Sequence, residues 1–197
     1  MRVFGLTGGS GAGKSTAAEM LRQSGIYVID ADKVAREVVE AGKPCLDELK
    51  AEFGIGIIRS DGTLDRRALG KIVFSDTEKL KSLNKITHKY IKTAIVEKLS
   101  SSNAPVVAID GAVIIGSEIE ELCEFIVCVT ADVEVRLERI MKRDGIDRRT
   151  ALNRLKSQPD DNFYISHSAF VLHNNAGETE LIEQVEELGR KIRENEV

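Results

Sequence analysis

Tryptophan is absent from this 197-residue chain, aromatic residues make up only 5%, and proline, cysteine, methionine and histidine number three each. Each scarcity excludes something. Cys45, Cys123 and Cys128 are odd in number, form no Cys-x-x-Cys pair and lack histidines at zinc spacing, so a disulfide framework and a zinc finger are out and reduced packing residues remain. No apolar run approaches the roughly 20 residues that a bilayer helix needs, so no membrane partner is expected. Neither sign of charge dominates: 28 Lys and Arg stand against 32 Asp and Glu, giving a net charge of −4, which argues against a protein that coats nucleic acid. Met1-Arg2-Val3-Phe4 runs straight into a glycine loop and leaves no room for a cleavable leader, so the cytoplasm is the expected compartment. No repeat or low-complexity stretch appears.

What is present is an alternation. Short β-rich runs at Arg2–Thr7, Tyr27–Asp30, Val106–Asp110, Phe125–Thr130 and Phe170–His173 are separated by stretches with helical spacing. Runs as continuously apolar as Phe125-Ile126-Val127-Cys128-Val129 belong to a parallel sheet covered on both faces. Helices are expected at Lys14–Ser24, Asp32–Ala41, Cys45–Phe53, Arg66–Phe74, Thr77–Ser100, Val133–Arg143, Arg148–Ser157 and Thr179–Arg193. Between the second and third strands lie about 75 largely helical residues, far more than one crossover requires, which marks an insertion. A second excursion, Arg139 to Ser168, carries Arg139, Arg143, Arg148, Arg149 and Arg154; it forms a basic lid, or those arginines are a solvated helix face.

The first strand leads into Gly8-Gly9-Ser10-Gly11-Ala12-Gly13-Lys14-Ser15-Thr16, which fits G-x-x-x-x-G-K-[ST]. A chance match occurs in about one chain in a hundred of this length. The strand before it and the helix-compatible run after it make chance rarer still. Glycines let successive N–H groups curl round a phosphate, and the helix N-terminus adds its positive dipole end. Lys14, an exposed loop lysine on this reading, reaches the β- and γ-phosphates of ATP, while Ser15 offers its hydroxyl to Mg²⁺. The expected architecture is α/β: a three-layer, P-loop NTPase-type fold with a parallel sheet and a helical insertion.

The second strand ends in Asp30-Ala31-Asp32 at the sheet edge where such folds place ligands. One of these carboxylates is the base or orienting acceptor for a nucleophilic hydroxyl, or it caps the helix that follows; the residues alone leave both open. Asp110 closes the third strand, either to help place Mg²⁺ or its waters or as a turn residue before Gly111. His88, His167 and His173 show no metal spacing, and a structural role is the default for each.

Taken together, Gly5-Leu6-Thr7-Gly8-Gly9 with the loop, Asp30-Ala31-Asp32 followed by Ala35-Arg36, Asp61-Gly62-Thr63-Leu64-Asp65-Arg66, Val73-Phe74, Ile86-Thr87-His88, Arg139, Arg143-Asp144-Gly145, Arg154, Gln158 and Asn174-Asn175-Ala176-Gly177 resemble the dephospho-coenzyme A kinase family over nearly the whole chain. The resemblance implies phosphorylation of the ribose 3′-hydroxyl of dephospho-coenzyme A with ATP and Mg²⁺, the last step of coenzyme A synthesis. It implies Lys14, Asp32 and Arg139 as catalytic residues, with Asp32 at the acceptor hydroxyl. ATP would be held by Gly8, Gly9, Gly11, Ala12, Gly13, Lys14, Ser15, Thr16 and Arg143, and the acceptor by Asp32, Arg36, His88 and Asp110. The implied layout is a single kinase domain: a nucleotide-binding core of residues 1–31, 104–138 and 169–197, an acceptor-binding insertion of 32–103 and a lid of 139–168. The only partner it implies is the small-molecule acceptor, with no obligatory protein partner. Three places depart from the family pattern: Lys89 after the histidine, Gly111–Gly116 after the third strand, and Pro159–Asn162 after Gln158. A nucleoside or nucleotide kinase shares the core-plus-lid design, and a regulatory nucleotide switch shares the loop; the switch is disfavoured by the missing N-K-x-D motif and by the large insertion.

Overall fold

The computed structural model describes all 197 residues. The chain divides into two compact units, Met1–Ile29 with Asn103–Val197, and Asp30–Ser102. The first is built on a five-stranded sheet of β1 (Arg2–Thr7), β2 (Tyr27–Asp30), β3 (Val106–Asp110), β4 (Phe125–Thr130) and β5 (Phe170–His173), in the order β2-β3-β1-β4-β5. β1 is central, paired in parallel with β3 (Arg2 opposite Val106) and with β4 (Phe4 opposite Phe125). All five strands fall where the apolar runs place them.

Alternation along the strands sends Phe4, Leu6, Ala108, Val127, Val129 and Leu172 to one face, against α1 (Lys14–Gln23) and α9 (Glu178–Glu194). There Leu21, Leu181 and Leu188 are fully buried, each contributing about 2 kcal/mol by removing apolar surface from water. The remaining helices of this unit are α6 (Val133–Asp144), α7 (Arg148–Lys156) and α8 (Asp161–Ser166). α6 and α7 share a small core of Leu137, Ile140 and Ala151. α8, absent from the sequence reading, is a six-residue helix capped by Asp160, whose carboxylate accepts the Phe163 N–H.

The second unit holds α2 (Ala31–Glu37), α3 (Pro44–Phe53), α4 (Arg66–Val73) and α5 (Thr77–Ser100), with α2, α3 and α4 each packed on α5. α2 stops four residues short of the expected Ala41, because the Glu40 N–H turns back to the Glu37 carbonyl and Gly42 then takes a left-handed φ of 80°. Lys89, one of the departures from the family pattern, has a structural use: its Nζ meets Glu48 Oε2 at 2.7 Å, and the Tyr90 hydroxyl donates to the same oxygen at 2.6 Å, tying α3 to α5. The Asp61–Arg66 signature is also structural. Asp61 Oδ1 accepts from the Thr63 N–H and hydroxyl, Gly62 turns the chain at φ 81°, and Asp65 caps α4 through the Arg67 and Ala68 N–H groups.

Candidate active site

Between β1 and α1 the chain makes a loop that only glycine permits. Gly8, Gly11 and Gly13 have φ of 154°, 78° and 97°. A Cβ on Gly8 would lie 2.4 Å from the Val129 carbonyl oxygen, and one on Gly13 would lie 1.9 Å from Asn174 Nδ2. Both the backbone angle and the close approach therefore exclude side chains here.

The loop's carbonyls are anchored from below. Asn174, 5% exposed on the segment after β5, donates from Nδ2 to the Ala12 carbonyl at 2.9 Å and is itself fixed by its N–H to the Thr130 carbonyl. Arg139 on α6 lies 3.4 Å from the Gly11 and Ala12 carbonyls and 3.3 Å from Asn174 Oδ1. The Ala12 N–H closes a turn on the Gly9 carbonyl at 3.2 Å, while the Ala12 carbonyl, turned to Asn174 and Arg139, sends the Gly13 N–H the other way, as an anion cradle needs. At the start of α1, Gly13 is a left-handed N-cap with no side-chain cap, and the first turn has no acidic residue. The N–H groups of Lys14, Ser15 and Thr16 have no acceptor within the helix, and the macrodipole adds positive potential there. Thr7 Oγ1, next to Gly8, is buried with no hydrogen-bond partner, an atom that bound ligand or water would satisfy.

Lys14 is not the exposed lysine expected from sequence. Its side chain is 16% exposed and forms an ion pair with Asp110, itself 10% exposed, at the end of β3. The two sit together because β1 and β3 are paired in register to Leu6 opposite Asp110. Asp110 thus stands against Lys14, at the foot of the glycine loop. Ser15 and Thr16 are exposed, leaving the Ser15 hydroxyl open to a cation. These observations fit a nucleotide phosphate chain and its Mg²⁺.

Among the other expected site residues, Arg143 lies at the end of α6, where its Nε and Nη2 donate to Asp144 at 2.7 and 2.9 Å; Arg154 from α7 binds the same carboxylate. Hydrogen bonding by Arg143, with the charge of Arg154 beside it, lowers the Asp144 carboxyl to about 2. Asp32, Arg36 and His88 belong to the second unit and are exposed there, the first two on α2 and the third on α5. Of the Asp30–Asp32 pair, Asp30 is the cap, accepting the Lys33 N–H at 2.8 Å, and Asp32 stands exposed in the first turn of α2.

One residue escaped the sequence reading. Arg136 on α6 is 4% exposed; its Nε donates to the Ser10 carbonyl at 2.9 Å and its Nη1 to Asp161 Oδ1 at 2.6 Å. Its position three residues before Arg139, on the same helix face, was the available signal.

The sequence matches the dephospho-CoA kinase family over residues 2–180. A dephospho-CoA kinase of Listeria monocytogenes is 38% identical over 177 residues, 88% of each chain. Among solved structures, the Thermus thermophilus protein TT1252 superposes with a TM-score of 0.84 at 32% identity, covering 97% of both chains. A Campylobacter jejuni dephospho-CoA kinase gives 0.69 at 26% identity over 100% of both. The fold is that of the P-loop kinases, the loop has the geometry that phosphate binding requires, and the sequence agrees along nearly its full length: this chain belongs to the dephospho-CoA kinase family.

Proposed function

We propose that the chain transfers the γ-phosphoryl group of ATP to the ribose 3′-hydroxyl of dephospho-coenzyme A, giving coenzyme A and ADP. The observation that carries this reading is the phosphate loop: amides bare at the α1 N-terminus, carbonyls anchored on Arg139 and Asn174, and Lys14 paired with Asp110, in a chain of that family. Lys14 stabilises the charge that develops on the transferring phosphoryl oxygens, and Asp110 fixes the direction of its ammonium group. Asp32 accepts the proton of the acceptor hydroxyl as the new P–O bond forms and the bond to ADP breaks. Arg36 and His88, exposed on the helical unit, support acceptor binding there. Mg²⁺, held at the Ser15 hydroxyl and the phosphates, would neutralise charge between the β- and γ-oxygens.

The geometry favours Arg139 over Arg143 as the cationic clamp, since Arg139 already lies on the loop and Arg143 is committed to Asp144. Residues 139–168 serve as the lid, whose closure excludes water from the transfer. No helix is long and apolar enough to cross a membrane, and a cytoplasmic setting suits this chemistry.

The test is ADP release by the purified chain with ATP and Mg²⁺. Release should be small without acceptor and should match acceptor phosphorylation one to one with dephospho-coenzyme A. Higher kcat/KM for AMP or a nucleoside would reassign the chain to nucleotide phosphorylation.

A further inference from the structure

We propose that Arg136, Gln158 and Asp161 position the phosphate loop by holding the two peptide groups that flank Ser10, so that nucleotide binding is coupled to the seating of residues 158–166. Burying a guanidinium is costly unless it is paired and hydrogen-bonded. Arg136 is buried almost completely and spends its donors on two places that are otherwise unconnected, the Ser10 carbonyl and the Asp161 carboxylate. The loop lies flat upon it: a Cβ on Gly9 would be 2.3 Å from Arg136 Nη2, and one on Gly11 would be 2.7 Å from the Arg136 carbonyl oxygen. On the preceding peptide, the Ser10 N–H donates to Gln158 Oε1 at 2.8 Å.

Both restraints lead to one segment, directly through Gln158 and by way of Arg136 through Asp161. The Asp160 cap fixes the first turn of α8, where Asp161 stands. The Ser10 N–H is thereby taken by a neutral carboxamide and the Ala12 N–H by the Gly9 carbonyl, which leaves the amides at the start of α1 for phosphate. Rotating the Ser10 peptide would swing the Gly11 N–H and the rest of the cradle, so what holds Ser10 sets the aim of the amides. Arg136 has no contact with the reacting atoms on this account; it acts through the loop as a positioning residue. Coupling of this kind is reciprocal: if seating of 158–166 favours nucleotide, nucleotide must favour seating.

This inference rests on the loop being the nucleotide site, and the experiment separates the two claims. ADP affinity is measured by calorimetry for the wild type, Lys14→Ala, Gln158→Ala, Asp161→Asn and Asp161→Glu, together with hydrogen exchange over residues 8–16 and 158–166. Asp161 is partly exposed, 31% at its side chain, so its variants should fold. Gln158→Ala and Asp161→Asn should each weaken ADP by about tenfold, Asp161→Glu should recover most of that loss, and acceptor binding without nucleotide should stay within about twofold. ADP should slow exchange at 158–166 in the wild type and fail to do so in Asp161→Asn. Wild-type ADP affinity in both Gln158→Ala and Asp161→Asn, or exchange at 158–166 indifferent to ADP, overturns the coupling while leaving the loop assignment standing. Equal ADP affinity in wild type and Lys14→Ala overturns the loop assignment and the coupling with it.

Discussion

Lys14→Ala is expected to damage both catalysis and folding, and the two effects can be pulled apart. The lysine is one half of a largely buried ion pair with Asp110. Removing the lysine takes a cation from beside a largely buried carboxylate and costs about 3 kcal/mol. For a chain of this size each kcal/mol is worth roughly 2–4 °C, so the thermal midpoint should fall by about 6–12 °C. Catalysis loses a cation that acts on the transition state; at 1.36 kcal/mol per factor of ten, a contribution of about 4 kcal/mol corresponds to a roughly thousandfold drop in kcat/KM. The discriminating variant is Lys14→Ala combined with Asp110→Ala. It removes the buried carboxylate together with its cation and should regain much of the lost midpoint, yet remain as inactive as Lys14→Ala alone. Differential scanning calorimetry and a coupled ADP-release assay read the two quantities. Lys14→Ala with more than about a tenth of wild-type turnover would refute the transition-state role. A double variant no more stable than the single one would refute the buried-pair argument.

Asp32→Asn should lower kcat by about a hundredfold or more with ADP affinity unchanged, because it removes the proton acceptor and leaves the phosphate loop alone; Asp30→Asn should instead act mainly on stability through the α2 cap, and the opposite ranking in paired kinetic and melting measurements would reverse the two roles. Gly8→Ala should cost about 1–3 kcal/mol in urea unfolding and abolish nucleotide binding, since its Cβ would meet the Val129 backbone and not a yielding side chain. The Asp144 carboxyl is lowered from its ordinary value to about 2, so its ionised pairing stabilises the fold above the unfolded value near 3.8 and is lost as pH falls through about 2. Asp144→Asn should accordingly melt below wild type at pH 6, with the gap closing between pH 4 and pH 2. Burial pushes the Cys45 thiol up to about 11 and the Cys123 thiol up to about 12; iodoacetamide at pH 8 should leave both unlabelled in the native state and label them after unfolding.

The strands and the phosphate loop were legible because each rests on a local requirement. A parallel strand buried on both faces must be apolar along its whole length, and a loop at φ 78° and 97° must be glycine at those places. The burial of Lys14 was not legible, since it depends on Asp110, 96 residues away and visible only as the last residue of another strand. Arg136 was passed over because its partners lie 126 residues before it and 25 after. α8 was missed because six residues make too short a periodic signal, although Asp160 after Pro159 is an ordinary cap signature. The Asp61–Arg66 segment was legible as a family marker but not as a turn joined to a helix cap, which only the hydrogen bonds reveal.

β1 has no strand neighbour close in sequence. Its partners begin at Val106 and Phe125, and the loop it carries is latched by Asn174, 162 residues after Ala12. During synthesis the first 16 residues leave the ribosome long before anything exists to shape them. Non-local pairing of this kind is slow to form because the intervening chain must first be closed. Nucleotide affinity should therefore emerge late and abruptly in refolding, after β5 docks, and nascent chains truncated before Asn174 should have none. That timing keeps ATP off incomplete chains, so the first event that nucleotide can stabilise is the arrival of the finished sheet.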